Sequence, residues 1–125
     1  MIRCSRQLAK PRTGVDFAPP PWDETSEEWR AIDQRMPEQH LARESACAVE
    51  RWDLSPLAAT YQGHGSPPVR PDLLVKMIRY ELPVGRPSPA EWCHDSRDSD
   101  TLQWLGFGVP PSRATFYAFR ERLSP

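Results

Sequence analysis

Few combinations of residue types in this sequence could carry out catalysis. Cys93, His94 and Asp95 are consecutive and supply the side chains of a nucleophile, a base and an orienting acid. Neighbours in sequence point in different directions along a helix, whereas a catalytic triad is a spatial arrangement. The sequence therefore predicts no nucleophilic centre at this position.

Metal and phosphate sites are not indicated either. The histidines His40, His64 and His94 are far apart and form no H-x-x-x-H spacing. The glycine pairs at 63–65 and 106–108 neither follow a strand nor precede the Lys-Ser/Thr pair of a phosphate loop. The carboxylates are spread along amphipathic segments, whereas metal-dependent phosphoryl transfer needs carboxylates on a rigid scaffold. We expect no metal, no cofactor, no small-molecule substrate and no enzymatic activity.

The last segment, 112–123, has a pattern suited to nucleic-acid contact. In a helix its apolar residues share one face, beside a basic and aromatic stripe. Such a helix packs on a small core and presents its other side to phosphates or to a groove. With the preceding segment 101–105 and a proline turn, it outlines a helix-turn-helix. The apolar residues are Phe116, Phe119 and Leu123, and the candidate DNA-binding residues are Arg113, Thr115, Tyr117, Arg120 and Arg122.

Charge is unevenly distributed along the chain. Residues 1–12 carry four cations and no acid, residues 13–53 have a net charge of −6, and residues 54–125 have a net charge of +1. The total of −1 argues against an indiscriminate nucleic-acid binder. Residues 1–21 lack a sustained period and end in Pro19, Pro20 and Pro21, so we predict a disordered arm at 1–24. The arm's candidate DNA-binding residues are Arg3, Arg6, Lys10 and Arg12.

Helical periodicity describes most of the remaining chain. The 15 prolines cluster in segments that separate short helices, because proline stops helix interiors. The clearest helix begins at Pro71 and places five residues on one face, opposite Asp72, Lys76 and Arg79. No segment alternates as a strand does. We predict an all-α fold, a compact bundle of about five to seven short helices. The five residues of that face are Leu73, Leu74, Met77, Ile78 and Glu81.

Other boundaries are predicted from caps and prolines. One helix is expected from Thr25 or Ser26 to Pro37, and a second from Glu38 to Trp52 that buries Trp52. A capping box at 88–91 predicts a short helix through Cys93. The second helix is also expected to bury Leu41, Ala48 and Val49, and His40 and Arg43 are predicted to hold helix packing through hydrogen bonds.

Membrane contact is not expected. The sequence has no run of about 18 apolar residues. The basic N-terminus lacks the apolar region of a secretory signal. We therefore predict a cytoplasmic protein.

Several short motifs follow one another between residues 29 and 122. In this order and spacing they resemble the N-terminal domain of InsH-type insertion-sequence transposases. The motifs are W-R-x-I-D-Q-R-x-P-E-x-H-L-A-R at 29–43, V-x-x-W-D-L-S-P-L at 49–57, Y-x-G-x-G at 61–65, P-x-R-P-D-L-L-x-K at 68–76, then Tyr80, Gly85, Ser88-Pro89, Trp104-Leu105, Thr115 and Phe119-Arg120.

The resemblance implies a helical domain that precedes a DDE-type catalytic domain of RNase H-like fold. In that family the N-terminal domain engages DNA at the element ends and helps to assemble the transposase. The family's catalytic carboxylates come later, so we expect a truncated, non-catalytic domain at 25–125 behind an arm at 1–24. Pro83 departs from the family pattern, and the arm has no clear counterpart in it.

Two other functions also fit the sequence. The chain is alternatively a regulatory module that pairs with itself or with full-length transposases through apolar surface. The expected thin core and the expected exposure of Trp22 and Trp92 motivate that hypothesis. The other alternative is a gene remnant without function, against which a cooperative thermal transition would argue.

Overall fold

Seven α-helices make up most of the described chain in a computed structural model, which describes residues 16–61 and 67–123. These residues contain no strand, so the all-α prediction is confirmed. Within them no helix is both long and apolar enough to cross a membrane. The helices are α1 (Glu27–Arg35), α2 (Leu41–Glu50), α3 (Ser55–Ala58), α4 (Pro71–Glu81), α5 (Pro89–Asp98), α6 (Asp100–Leu105) and α7 (Arg113–Leu123).

The starts of α4, α5 and α6 follow the sequence signals. Pro71 occupies the first turn of α4, where its missing N–H costs nothing. The Ser88 hydroxyl accepts the Glu91 amide hydrogen at 3.3 Å, and Ser99 caps α6 in the same way. The predicted end of α5 at Cys93 is wrong, because the helix continues to Asp98. Burial of Asp95 and Ser96 extends it beyond what the local pattern indicates.

Helix α2 begins later than predicted, and only part of its predicted face is buried. The Pro37 carbonyl accepts the His40 amide hydrogen in a turn at 3.2 Å, and the His40 Nδ1 accepts from the Ala42 amide at 3.0 Å. The expected burial of Trp52 is wrong, since its exposed fraction is 48%. Small residues face the core here because they allow α2 to pack closely on α4. The buried residues of α2 are Ala42, Ser45, Ala46 and Val49.

An aromatic stack joins α1 to α6. The Trp29 ring stacks on Trp104 at a centroid distance of 5.7 Å and on Phe107 at 5.2 Å. The Trp29 indole N–H donates to the Trp104 carbonyl at 3.0 Å, and the Trp104 indole N–H donates to Asp33 at 3.1 Å. Both buried indoles therefore have hydrogen-bond acceptors, which fixes the angle between the two helices.

The Arg43 guanidinium connects α1 to α2. It donates to the Asp33 carboxylate at 2.7 Å and to the Asp33 carbonyl at 2.5 Å. It also donates to the carbonyls of Met36 and Pro37 at 2.9 and 3.0 Å, so it satisfies carbonyls at the end of α1. These contacts and the His40 cap agree with the prediction that both residues hold helix packing.

The C-terminal end of α4 buries an acid. Glu81 is fully buried, and neither of its carboxylate oxygens has a hydrogen-bond partner among the described residues. Burial and the neighbouring Asp95 carboxyl raise the pKa of Glu81 to about 8, against a smaller opposing effect of Arg86. Lys76, expected on the solvent side of this helix, is 2% exposed and reaches Glu50 at 3.4 Å.

Part of the segment that the sequence assigned to the arm packs on the helices. The Ala18 amide donates to the Pro68 carbonyl at 2.9 Å, and the Trp22 amide donates to the Phe107 carbonyl at 3.0 Å. The Trp22 ring covers Gly108, whose hypothetical Cβ would lie 2.8 Å from it. Residues 1–15 lie outside the described residues.

The expected exposure of Trp22 and Trp92 is wrong. Trp22 is half-buried against the core. Trp92 is 3% exposed, and its indole N–H donates to the Arg86 carbonyl at 2.7 Å. Both side chains pack within the protein, so they supply no surplus apolar surface for a partner.

Candidate nucleic-acid interface

Two phenylalanines anchor α7. Phe116 and Phe119 are 0% and 1% exposed, and α7 packs against α5. The Phe116 ring meets Trp92 edge to face at 5.7 Å. Leu123, predicted on the same face, is 50% exposed because it lies at the last turn of the helix. The apolar side of α7 is therefore fixed over its first two turns.

The start of α7 is capped within the chain. The Ser112 hydroxyl accepts the Thr115 amide hydrogen at 3.1 Å and lies 2.9 Å from the Thr115 hydroxyl. Thr115 is half-buried, so its first contribution is to this cap. Its predicted contact with DNA is not tested by the structure.

The turn before α7 is held by an arginine of α5. Arg97 donates to the Pro111 carbonyl at 2.9 Å and to the Pro110 carbonyl at 3.1 Å. Phe107 and Gly108 both adopt positive φ, 49° and 80°, which turns the chain sharply after α6. Helix α7 consequently leaves α6 and packs against α5.

The outer side of α7 carries the predicted stripe. Arg113 is exposed and forms no ion pair with any described residue. Tyr117 is 39% exposed, and the Arg120 guanidinium carbon lies 5.1 Å from its ring centroid. This cation–π contact holds the Arg120 charge beside an aromatic surface. The structure thus brings Tyr117 and Arg120 together on the solvent side of an anchored helix.

Arg122 is engaged differently from the rest of the stripe. Its guanidinium donates to the Thr60 carbonyl at 2.9 Å and to the Thr60 hydroxyl at 3.1 Å. Its central carbon lies 3.9 Å from the Tyr61 ring centroid. Sequence reasoning missed Thr60 and Tyr61, because a contact across 62 positions leaves no local pattern. Arg122 holds the end of α7 to the residues after α3.

The arm cations Arg3, Arg6, Lys10 and Arg12 lie outside the described residues, as do Gly63 and Gly65. The positions of these arm cations therefore stay predictions.

The described side chains that suggested chemistry are used structurally or face solvent, and His64 lies outside the described residues. His40 caps α2, and the exposed His94 lies 3.5 Å from Asp98. The Cys93 sulfur accepts from Arg97 at 3.1 Å. Among the described residues no group of three His, Cys, Asp or Glu side chains is placed to hold a metal ion.

The model of the family described as Transposase domain (DUF772) matches residues 30–122. The chain belongs to this transposase-domain family. The match confirms the resemblance drawn from the ordered motifs and relates the chain to DNA transposition. It covers α1 through nearly all of α7, so the anchored helix and its stripe lie within the transposase domain. No curated protein and no solved structure matches the chain.

Proposed function

We propose that this transposase domain is a DNA-binding and assembly module of transposition that has no catalytic activity of its own. Helix α7 contacts the phosphates of duplex DNA at the element ends, and the basic arm adds further contacts. The observation that carries the proposal is the exposed Arg113, Tyr117 and Arg120 stripe on a helix whose opposite side is locked into the core.

Rigid anchoring matters because phosphate contacts set the orientation of a protein on DNA. Arg113 and Arg120 are seven positions apart, which corresponds to about 10 Å along a helix. That spacing spans roughly three phosphates of one strand, which lie about 3.4 Å apart along the duplex axis. Each arginine can therefore neutralise its own phosphate. The exposed Tyr117 ring between them supplies apolar contact with sugar or base.

The test is a fluorescence-anisotropy titration of the full chain with a labelled duplex of about 20 base pairs over a range of salt concentrations. The double variant Arg113→Gln, Arg120→Gln is compared with Arg30→Gln, Arg35→Gln. Arg30 and Arg35 are exposed residues of α1, which packs against α6 rather than α7. Both variants lose the same charge.

We expect the α7 variant to reduce the slope of log K against log salt by about 2, since each lost phosphate contact removes about 0.9. The α1 variant is expected to keep the slope of the unsubstituted chain. If the salt slope falls equally in both variants, α7 contributes only net charge and makes no phosphate contacts of its own. The proposal would be refuted if the unsubstituted chain bound no duplex, not even one that carries the element-end sequence.

A further inference from the structure

Helix α7 carries one acidic residue among its cations. Glu121 is exposed and forms no ion pair with any described residue. The arginines on either side of it in the sequence are engaged elsewhere. The Arg120 guanidinium carbon lies 5.1 Å from the Tyr117 ring centroid, and Arg122 donates to the Thr60 carbonyl at 2.9 Å. The Glu121 carboxylate therefore faces solvent rather than a partner on α7.

The buried side of α7 shows where Glu121 lies on the helix. Phe116 and Phe119 are fully buried and mark the side that packs on the core. At about 100° per residue, Glu121 lies roughly 170° from the midpoint between these two phenylalanines. Ala114 is exposed in nearly the same direction, and its short side chain does not hold another molecule away from the helix. Glu121 is therefore on the outermost part of α7.

The cations that carry the proposed function lie to one side of Glu121. Arg113 and Arg120 are about 80° and 100° from it around the helix, which is close to a quarter turn. When one edge of a helix contacts the phosphates of a strand, the side a quarter turn away faces the base edges of the major groove. A duplex held by Arg113 and Arg120 consequently brings base edges to Glu121.

A carboxylate at this position needs a hydrogen-bond donor on the DNA. Without one it only repels the phosphates that the neighbouring arginines attract. In the major groove the donors are the exocyclic amino groups of cytosine and adenine. Adenine presents its N7 acceptor next to that donor, whereas cytosine presents the donor alone. Cytosine is therefore the base whose edge fits a carboxylate.

We propose that Glu121 reads a cytosine in the major groove by accepting a hydrogen bond from its N4 amino group. The inference rests on the proposed DNA contact of α7 and adds sequence discrimination to it. Arg113 and Arg120 set the orientation of the helix, and Glu121 selects the base. Thymine is rejected at that position because its O4 acceptor would face the carboxylate.

The first experiment selects duplexes from a pool. The full chain is incubated with duplexes of about 20 base pairs whose central positions are randomised, and the bound duplexes are sequenced. We expect the unsubstituted chain to enrich a cytosine at one position, and Glu121→Ala to lose that enrichment. Glu38→Ala is the control of equal charge and should keep it. Glu38 is exposed in the turn between α1 and α2, which pack against α6 and α4.

The second experiment uses one selected duplex in an anisotropy titration. The enriched C·G pair is changed to T·A, or the cytosine is replaced by N4-methylcytosine, whose methyl group takes the place of the groove-facing hydrogen. Each change should weaken binding of the unsubstituted chain by about fivefold or more, and that of Glu121→Ala by less than about twofold. Glu121→Gln should instead prefer A·T there, because an amide pairs with N6 and N7 of adenine. A purely structural role of Glu121 would change the affinity for all these duplexes equally.

The results separate the inference from the proposed function. A cytosine requirement that survives in Glu121→Ala would overturn the inference. Salt-dependent binding that needs Arg113 and Arg120 but enriches no base would also overturn it, and would leave the proposed function intact. Absence of binding to every duplex in the pool would remove both.

Discussion

Two helix junctions each contain a carboxylate, but in opposite environments. The first junction joins α1, α2 and α6, and the second joins α4 and α5. At the first, Asp33 accepts hydrogen bonds from Arg43 and from the Trp104 indole. At the second, Glu81 is fully buried without a hydrogen-bond partner among the described residues. The nearby Arg86 guanidinium is paired with Asp95 instead.

The two junctions should therefore differ in how their stability depends on pH. A carboxylate that accepts from a guanidinium and an indole has strong hydrogen bonds that hold its geometry. A buried acid that accepts no hydrogen bond keeps its proton to a higher pH, because burial penalises the charge. The first junction is therefore expected to be rigid, and the second to respond to protons.

Trp104→Ala should cause the largest loss. It removes the stack with Trp29 and leaves Asp33 without its indole donor. We expect the free energy of unfolding to fall by about 3–5 kcal/mol, as for other large buried aromatics. Urea denaturation followed by circular dichroism measures it. Trp52→Ala, at an exposed tryptophan, should cost less than about 1 kcal/mol. If both variants lose a similar free energy of unfolding, the first junction is not the more stabilising part of the protein.

Glu81 should make stability fall as pH rises. The unfolded chain releases this proton near the ordinary value of 4.5, whereas the folded chain keeps it until about 8. The folded state binds more protons in that interval, so the free energy of unfolding should decrease by roughly 4 kcal/mol between pH 5 and pH 9. The charged groups that act on Glu81 are Asp95, Arg86 and Glu91.

Glu81→Gln isolates this effect, since the amide does not titrate. Urea denaturation at pH 5, 7 and 9 should give a nearly constant free energy of unfolding in the variant. If the variant and the unsubstituted chain lose stability equally with pH, another group is responsible and the contrast between the two junctions is wrong.

Comparing Gly108→Ala with Gly85→Ala should separate the cost of displacing Trp22 from the cost of backbone strain. Gly108 has a φ of 80°, and its new Cβ would lie 2.8 Å from the Trp22 ring. Gly85 has a φ of 89° with nothing within 4 Å of its hypothetical Cβ. We expect Gly85→Ala to cost about 1 kcal/mol and Gly108→Ala about 2 kcal/mol, since only the second also displaces Trp22. Thermal melts measure both, and equal costs would mean that Trp22 contributes little to this contact.

Arg35→Gln should have the smallest effect. Its ion pair with Asp100 is at the surface, with side chains 60% and 59% exposed, so we expect a change of less than about 0.5 kcal/mol. Arg43→Gln is the same type of substitution, but the Arg43 guanidinium donates to four acceptor atoms. We expect it to lower the free energy of unfolding by about 2–4 kcal/mol. Urea denaturation of both variants measures this. A larger loss of unfolding free energy in Arg35→Gln than in Arg43→Gln would contradict the comparison.

Local signals in the sequence predicted much of the fold. Pro71 and Ser88 act within one helical turn, so these helix starts could be predicted directly from the sequence. The predicted burial of Val49 is confirmed, whereas that of Trp52 was wrong, because burial along α2 depends on how closely α4 approaches. Burial of Lys76 was missed for the same reason, since its partner Glu50 lies on another helix.

The candidate interface was predicted in part. The stripe of Arg113, Tyr117 and Arg120 follows from helical periodicity, and the structure places all three on the exposed side. The separate engagement of Arg122 with Tyr61 could not be predicted, because those residues belong to segments whose distance is set by packing.

By itself the sequence determined an all-helical chain, the ordered motifs of the transposase-domain family and a basic stripe on the last helix. Each of these depends on residue type and on spacing within a few turns, which the chain carries locally. Packing across the chain places Glu81 in the interior with no described donor to its carboxylate, sets the Trp22 ring over Gly108, and brings both Phe17 and Arg122 to Tyr61. Those outcomes depend on which side chains close packing brings together across long separations.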